Sequence, residues 1–492
     1  MDRPPANFQP ANAVPVVLLG VPFDNVTLDE TVRLIEQMIA SRQSHHLVTA
    51  NVDFLVQALR DIELHRILMD AHLVLCDGMP LVWASRLLGN PLPERVAGSD
   101  LVPRLIEVAA KKNYRIFFLG GSPENTRLAV ANLEKKFSQI KIVGHYSPPF
   151  AHLLEMDHDE IRQRIQDAQP DLLFVSFGCP KQEKWIAMHF RSLGVPVSIG
   201  VGATIDFLAG RAARAPRWMQ RTGTEWIFRL LQEPRRLFKR YVCGLWIFAR
   251  AISQQWRQMQ LFRPKLLTAR KTLPIKTKKN WKRIRLPDRL DIHTVRQDAL
   301  LCEEALATSR QCLLDLSNVR FIDSTGMGLL IRLQKRARIT KRKLILFAPS
   351  KAVRSAVCLM RLENFFIIAH NMAAAQKFTE TQTPDHPVLV QPNYFPSKPA
   401  IFWQGEITAA NSEQVWRSTQ SQIAARAKTE SQFLIDLSAL QFIDSTGVGL
   451  MMRAKKNALQ QGLDLIFTGI QPPVQNILRL AKVESFLFGD AR

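Results

Sequence analysis

Cysteine is sparse in this 492-residue chain and never falls in a C-x-x-C spacing: Cys76, Cys179, Cys243, Cys302, Cys312 and Cys358 are scattered. That argues against a disulfide scaffold or a thiolate zinc site and fits reduced thiols in a cytoplasmic protein. The opening Met1-Asp2-Arg3-Pro4-Pro5 lacks the basic-then-apolar build of a signal peptide. Long apolar runs are missing as well. Tyr241 to Ala249 is closed by Arg250, well short of the roughly 20 residues a membrane-spanning helix needs. A hydrophobic fraction of 47% is nevertheless ample for packed cores, and the length predicts two to four domains.

Acidic residues are thin in one region. Between Arg211 and Arg285 there are 21 Lys or Arg against Glu225 and Glu233, so +19 of the net +23 is concentrated there. Nucleic acid, an anionic membrane or a diphosphate could each answer such a charge. No nucleic-acid fold signature or base-stacking motif accompanies it. Trp218, Trp226, Phe228, Phe238, Trp246 and Phe248 interleave with the arginines, the pattern of amphipathic helices at a membrane surface. The plainer alternative is a solvated basic face packed on a neighbouring domain.

From Val16 to about Gly210, short apolar runs alternate with helical stretches. Strands are predicted at Val16 to Leu19, His46 to Thr49, His72 to Cys76, Arg115 to Leu119, Ile140 to Gly144, Leu172 to Ser176 and Val197 to Val201. Helices are predicted at Leu28 to Ala40, Pro80 to Leu88, Leu101 to Lys111 and Glu124 to Phe137. The alternation predicts an α/β fold with a largely parallel sheet covered on both faces. Polar and glycine-rich blocks fall at the strand ends, where an open α/β sheet gathers its ligands. In Val74-Leu75-Cys76-Asp77-Gly78-Met79-Pro80, Asp77 is the candidate catalytic base, with a plain helix cap as the alternative. Val48-Thr49-Ala50-Asn51, Glu94-Arg95-Val96-Ala97-Gly98-Ser99-Asp100, Phe118-Leu119-Gly120-Gly121-Ser122, Phe177-Gly178-Cys179-Pro180-Lys181-Gln182-Glu183, Gly200-Val201-Gly202-Ala203 and Arg214-Ala215-Pro216-Arg217-Trp218-Met219 complete the set.

In order and spacing these blocks resemble the WecG/TagA/CpsF family, glycosyltransferase family 26, over roughly the first half of the chain. The resemblance implies a Rossmann-like sheet with a helical C-terminal appendage and a metal-independent, inverting transfer from a UDP-sugar to a polyprenyl-diphosphate-linked saccharide. N-acetylmannosamine, its uronic acid or glucose would be the sugar. By the same carry-over, Thr49 and Asn51 would bond substrate hydroxyls, Arg95 would balance developing negative charge, and Gln182 would orient acceptor or donor. Gly120, Gly121 and Gly202 sit in turns whose N–H groups could face a diphosphate. Arg229, Arg236 and Arg240 are the appendage arginines that match those reaching back to it. Asp157-His158-Asp159 is not read as a metal site, since it lies in a polar stretch just before a helix, where acidic residues favour the N-terminus.

The second half contains a duplication. Leu314 to Leu329 recurs as Ile435 to Leu450 at an offset of 121 residues, with Asp-Ser-Thr-Gly in both copies. Each copy reads as strand, tight turn and amphipathic helix. These motifs resemble the STAS domain of anti-sigma factor antagonists, whose phosphorylatable serine would here be Ser324 in the first copy and Ser445 in the second. Asp323 and Asp444 would cap the helices, and a serine at such a start is expected to be exposed. The denser basic set Arg332, Lys335, Arg336 and Arg338 favours Ser324 as the dominant switch.

The expected organisation is therefore a transferase domain over 1–262 with a basic appendage at 211–262, a linker at 263–280, STAS domains at 281–382 and 400–492, and a Pro-rich linker at 383–399. The expected partners are a lipid-linked saccharide acceptor, an anionic membrane surface and a STAS-binding protein, kinase or phosphatase, with no nucleic acid and no cofactor beyond the UDP-sugar donor. A homo-oligomer stays open. The location would be peripheral, on the inner face of the cell membrane. The rival reading is a phospho-regulated, membrane-docked scaffold with an inactive transferase half.

Overall fold

The computed structural model describes residues 14–211, 215–216, 218–219, 224–232, 234–262, 273–275, 281–380, 392–393, 400–427 and 429–488. The first half runs β1 (Val16–Leu18), β2 (Val21–Phe23), α1 (Leu28–Ser41), β3 (His45–Ala50), α2 (Val52–Ala58), α3 (Ile62–Asp70), β4 (Leu73–Cys76), α4 (Met79–Leu87) and α5 (Gly98–Lys112). It continues with β5 (Arg115–Gly120), α6 (Pro123–Lys136), β6 (Lys141–Tyr146), α7 (His158–Ala168), β7 (Leu172–Ser176), α8 (Lys181–His189), β8 (Val197–Gly200) and α9 (Thr204–Leu208). Six strands form one sheet in the order β4-β3-β8-β7-β5-β6, and every pairing in it is parallel.

A parallel sheet buried on both faces needs apolar side chains at successive positions, and strand residues alternate between two cores accordingly. Leu47, Leu75, Phe118, Phe174 and Ile199 pack with α1, α5 and α6 on one side. On the other, Val48, Val74 and Cys76 pack with α2, α3 and α4, while Phe117, Leu119 and Val175 pack with α7 and α8. The strand at Val16–Leu18 is not part of this sheet, contrary to expectation. It pairs antiparallel with β2, because only Leu19 and Gly20 separate the two, both at positive φ (51° and 86°); so short a connection joins antiparallel neighbours.

The appendage is a helix at Glu225–Gln232 followed by a 28-residue helix at Pro234–Leu261. Phe248 and Ile252 of the long helix join the core under β1 and α2, and Gln255 exchanges hydrogen bonds with the backbone of Val17 and Leu19 at 3.1 and 3.0 Å.

The two repeats fold as similar α/β units. The first has a sheet in the order β15 (Ile367–Ala369), β14 (Lys343–Phe347), β12 (Gln311–Asp315), β10 (Trp281–Arg285), β9 (Leu273–Ile275), beside a pair of short strands, β11 (Arg289–Leu290) and β13 (Phe321–Ile322). The second has β16 (Pro392–Asn393), β17 (Ala400–Phe402), β19 (Gln432–Asp436), β21 (Asp464–Thr468), beside the pair β18 (Gly405–Ile407) and β20 (Leu440–Ile443). Both expected linkers thus contain an edge strand: β9 pairs antiparallel with β10 and β16 with β17. The remainder of each linker lies outside the described residues. Asp323 and Asp444 do cap the repeat helices Ser324–Ile339 and Ser445–Gln460, accepting from Gly326 N–H at 2.9 Å and Gly447 N–H at 3.0 Å.

Candidate active site

Because all six strands run the same way, the ends of β3, β4, β5, β7 and β8 open on one edge, and the sequence blocks collect there. Asp77 follows the last residue of β4 and donates its N–H to the Ala50 carbonyl at 2.9 Å. The N-cap of α4 is Gly78, so Asp77 stands one residue outside the helix and is not its cap. Asn51, directly after β3, caps α2 with its side-chain oxygen on the N–H of Asp53 and Phe54 at 3.0 and 3.3 Å. Thr49 is buried and hydrogen-bonds the Gly200 carbonyl at 3.4 Å, tying β3 to β8.

Arg95 follows at the same edge and is part-buried. It is held by Asp100 at 2.6 Å and by Glu225 of the appendage at 3.0 Å. Its burial works against charge, yet Asp100, Asp77 and Glu225 together hold the guanidinium above its ordinary range. The cation is therefore already compensated, and it ties the appendage to the strand edge.

Gln182 is likewise spent on the protein. Its amide oxygen accepts from the N–H of Gly178 at 3.2 Å and of Gly202 at 3.1 Å, and its amide nitrogen donates to Glu183 at 2.7 Å. It pins two loops together. Two of the turn glycines have their N–H groups engaged by the protein: Gly202 gives its own to Gln182 and Gly121 gives its own to the Ser176 carbonyl at 2.9 Å. Gly120 and Gly121 have positive φ, and a Cβ on Gly121 would lie 2.7 Å from Thr126 Oγ1; these residues shape the crevice floor. The side chains of Arg229, Arg236 and Arg240 lie outside the described residues, as does Arg214.

Glu183, to which the sequence assigns no role, is buried on α8. Burial pushes its carboxyl up to about 7 despite the hydrogen bond from Gln182, and no sequence signal distinguishes a buried glutamate from a solvated one on a short helix. Asp157 caps α7 by accepting from Glu160 N–H at 2.9 Å, Asp159 pairs with Arg162, and His158 faces His189 at 3.0 Å. Among the described residues no group of three His, Cys, Asp or Glu could hold a metal ion. A cavity of about 930 Å³ lies elsewhere, lined by Arg42, Arg115, Lys141 and Asp171 at the amino ends of the strands, the edge opposite Asp77.

The Glycosyl transferase WecG/TagA/CpsF family matches residues 16–261, half of the chain. This chain belongs to that family. The N-acetylglucosaminyldiphosphoundecaprenol N-acetyl-beta-D-mannosaminyltransferase of Bacillus subtilis is 31% identical over 247 residues, covering 50% of this chain and 94% of the relative. The enzyme of the same name from Staphylococcus aureus (strain MW2) is 30% identical over 229 residues, 46% and 88% of the respective chains. The N-terminal half of this WecG/TagA/CpsF protein is thus a glycosyltransferase. STAS domains match 272–375 and 397–490. A structure of the unphosphorylated anti-sigma factor antagonist SpoIIAA is 21% identical and covers 23% of this chain and 98% of its own, with a TM-score of 0.21. No helix among the described residues is long and apolar enough to cross a membrane.

Proposed function

We propose that this protein moves a sugar from a UDP-sugar to a polyprenyl-diphosphate-linked saccharide, with inversion and without a metal, in cell-surface polysaccharide assembly. The observation that carries the reading is the convergence of Thr49, Asn51, Asp77 and the Gln182-pinned loops on one sheet edge, in a chain whose relatives are named for an undecaprenyl-diphosphate acceptor. Asp77 takes the proton of the acceptor hydroxyl as its oxygen attacks the anomeric carbon. The bond from that carbon to the UDP oxygen breaks, and UDP leaves with the electron pair. The side-chain oxygen of Asn51 is engaged as a cap, which leaves its amide N–H donors for a substrate hydroxyl. Arg229, Arg236 and Arg240 are the appendage groups proposed to neutralise the leaving diphosphate. A cytoplasmic, peripheral location accounts for a stripe of exposed side chains on the long helix, Phe238, Val242 and Trp246, four residues apart. The STAS pair is proposed as a phospho-regulated partner-binding module.

A donor screen with a short-chain lipid-diphosphate acceptor, read by UDP release and product mass, tests the reading. N-acetylmannosamine is the first donor expected to score. No release from any UDP-sugar would leave a membrane-docked scaffold as the better description.

A further inference from the structure

The two repeats meet the transferase through equivalent helix starts but by different chemistry. The first shares an apolar core with it: Val17 of β1 and Met69 of α3 pack among Leu290, Met327 and Leu330. Ser324, expected to be exposed, is fully buried in this packing. The cations expected to favour it are engaged elsewhere: Arg332 and Arg336 pair with Glu303 at 2.7 and 2.6 Å, Arg338 pairs with Asp70 at 3.2 Å, and Lys335 bonds the Ala71 carbonyl at 3.0 Å. Undocking this repeat means exposing core side chains to water.

The second repeat is held mainly by polar contacts, with Leu154 of the transferase the apolar side chain packed against its core. Ser445 donates its N–H and its hydroxyl to the two carboxylate oxygens of Glu63 on α3, at 2.5 and 2.8 Å. Lys184 of α8 reaches both Glu63 and Asp61 at 2.8 Å. Beside them Arg66 bonds Glu406 at 2.5 Å and lies over the Phe442 ring at 4.3 Å. Ser445 is only 8% exposed, so its hydroxyl is closed off while the contact holds.

We propose that this contact is a charge-gated latch: the second STAS domain docks on the transferase of its own chain through Ser445 and Glu63, and negative charge on the Ser445 oxygen undocks it. Asp61 and Glu63 already share Lys184, and Asp444 lies close enough to Glu63 to feel its charge. Burial, and then the charge of Glu63, push the Asp444 carboxyl up to about 6. A hydroxyl donates to Glu63, whereas a phosphate monoester can only accept and adds about two negative charges. Modification therefore requires the open form. Transfer of the γ-phosphoryl group of a nucleoside triphosphate to Ser445 Oγ, with loss of the hydroxyl proton and release of the nucleoside diphosphate, would then prevent reclosure. The latch also reaches the chemistry, because Lys184 lies two residues beyond Gln182 on the helix that pins the Gly178 and Gly202 loops. It stands independently of which sugar is moved.

Hydrogen–deuterium exchange on the full chain tests the latch. In Ser445→Asp, peptides covering α3 and Ser445–Gln460 are expected to exchange about tenfold faster or more, while β19 stays protected. Ser445→Ala, which keeps the N–H to Glu63, should remain within about threefold of wild type. Adding Glu63→Gln to Ser445→Asp should restore most of the protection, since the new amide can donate to the new carboxylate. Wild-type protection in Ser445→Asp, or a double variant as fast as the single one, overturns the latch. If β19 also loses protection, the transferase-side pair Glu63→Ala with Arg66→Ala decides. Faster exchange over Ser445–Gln460 with β19 intact supports the latch, and unchanged exchange overturns it.

Discussion

A carboxylate at the end of a strand can cap a helix or serve a reaction, and Asp77 is proposed for the second. With Gly78 as the N-cap of α4, Asp77 is left at the crevice. Asp77→Asn keeps the shape and removes the proton acceptor, so transfer should fall about 10²-fold or more with nucleotide binding nearly unchanged; a rate within a few-fold of wild type would exclude it as the base. Glu183 acts one step back, by fixing the amide of Gln182. Its folded pKa of about 7 lies above the ordinary value of 4.5, so the folded state holds the proton more tightly than the unfolded chain. Stability from this group is complete below about pH 4.5 and is lost as pH rises through about 7, up to about 3 kcal/mol. Glu183→Gln keeps the acceptor for Gln182 and has no proton to lose. Its melting temperature should match wild type near pH 4.5 and exceed it near pH 8; identical pH profiles would show that the carboxyl is not the titrating group.

At the scale of elements, the strands of the main sheet were legible because continuous apolar runs ending in glycine or a carboxylate have few other uses in an α/β chain. Leu172–Ser176 has the same bounds in sequence and structure. What failed was pairing: Val16–Leu18 reads as one more parallel strand, and only the two-residue turn after it says otherwise. Helices α2 and α3 were not foreseen, although Asn51 caps the first of them. The long appendage helix was legible as amphipathic, and the structure sorts its two faces. Phe248 and Ile252 are buried, while Phe238 and Trp246 are 59% and 63% exposed. Replacing Phe238 and Trp246 together with Ser should weaken binding to vesicles containing an anionic phospholipid by about tenfold or more, and added salt should weaken it further. Sedimentation with such vesicles measures this, and unchanged binding by the double variant would remove the helix face from the membrane.

For the whole molecule, the duplication was plain in the sequence, but how the copies sit against the transferase was not. Contacts such as Glu63 with Ser445 join residues 382 apart, and no local pattern encodes a partner at that distance. The copies differ in how they sit, and the clearest sign of it is a pair of glycines one repeat apart. Gly326 and Gly447 are both closely approached within their own domains, by Leu290 and Ile443 respectively, so each repeat needs glycine there to close its turn. Gly328 and Gly449 differ. A Cβ on Gly328 would collide with the Pro15 carbonyl oxygen of the transferase, a backbone atom unable to swing aside, whereas a Cβ on Gly449 would meet only Leu154 Cδ2 at 3.9 Å. Gly328→Ala should therefore cost about 1–3 kcal/mol through overpacking at the first repeat's interface. Gly449→Ala should be neutral or slightly stabilising, since alanine favours a helix interior by about 1 kcal/mol. Thermal melts of the two full-length variants compare identical substitutions at equivalent positions. Equal melting temperatures would mean that the first repeat does not seat against the transferase backbone as closely as Gly328 requires.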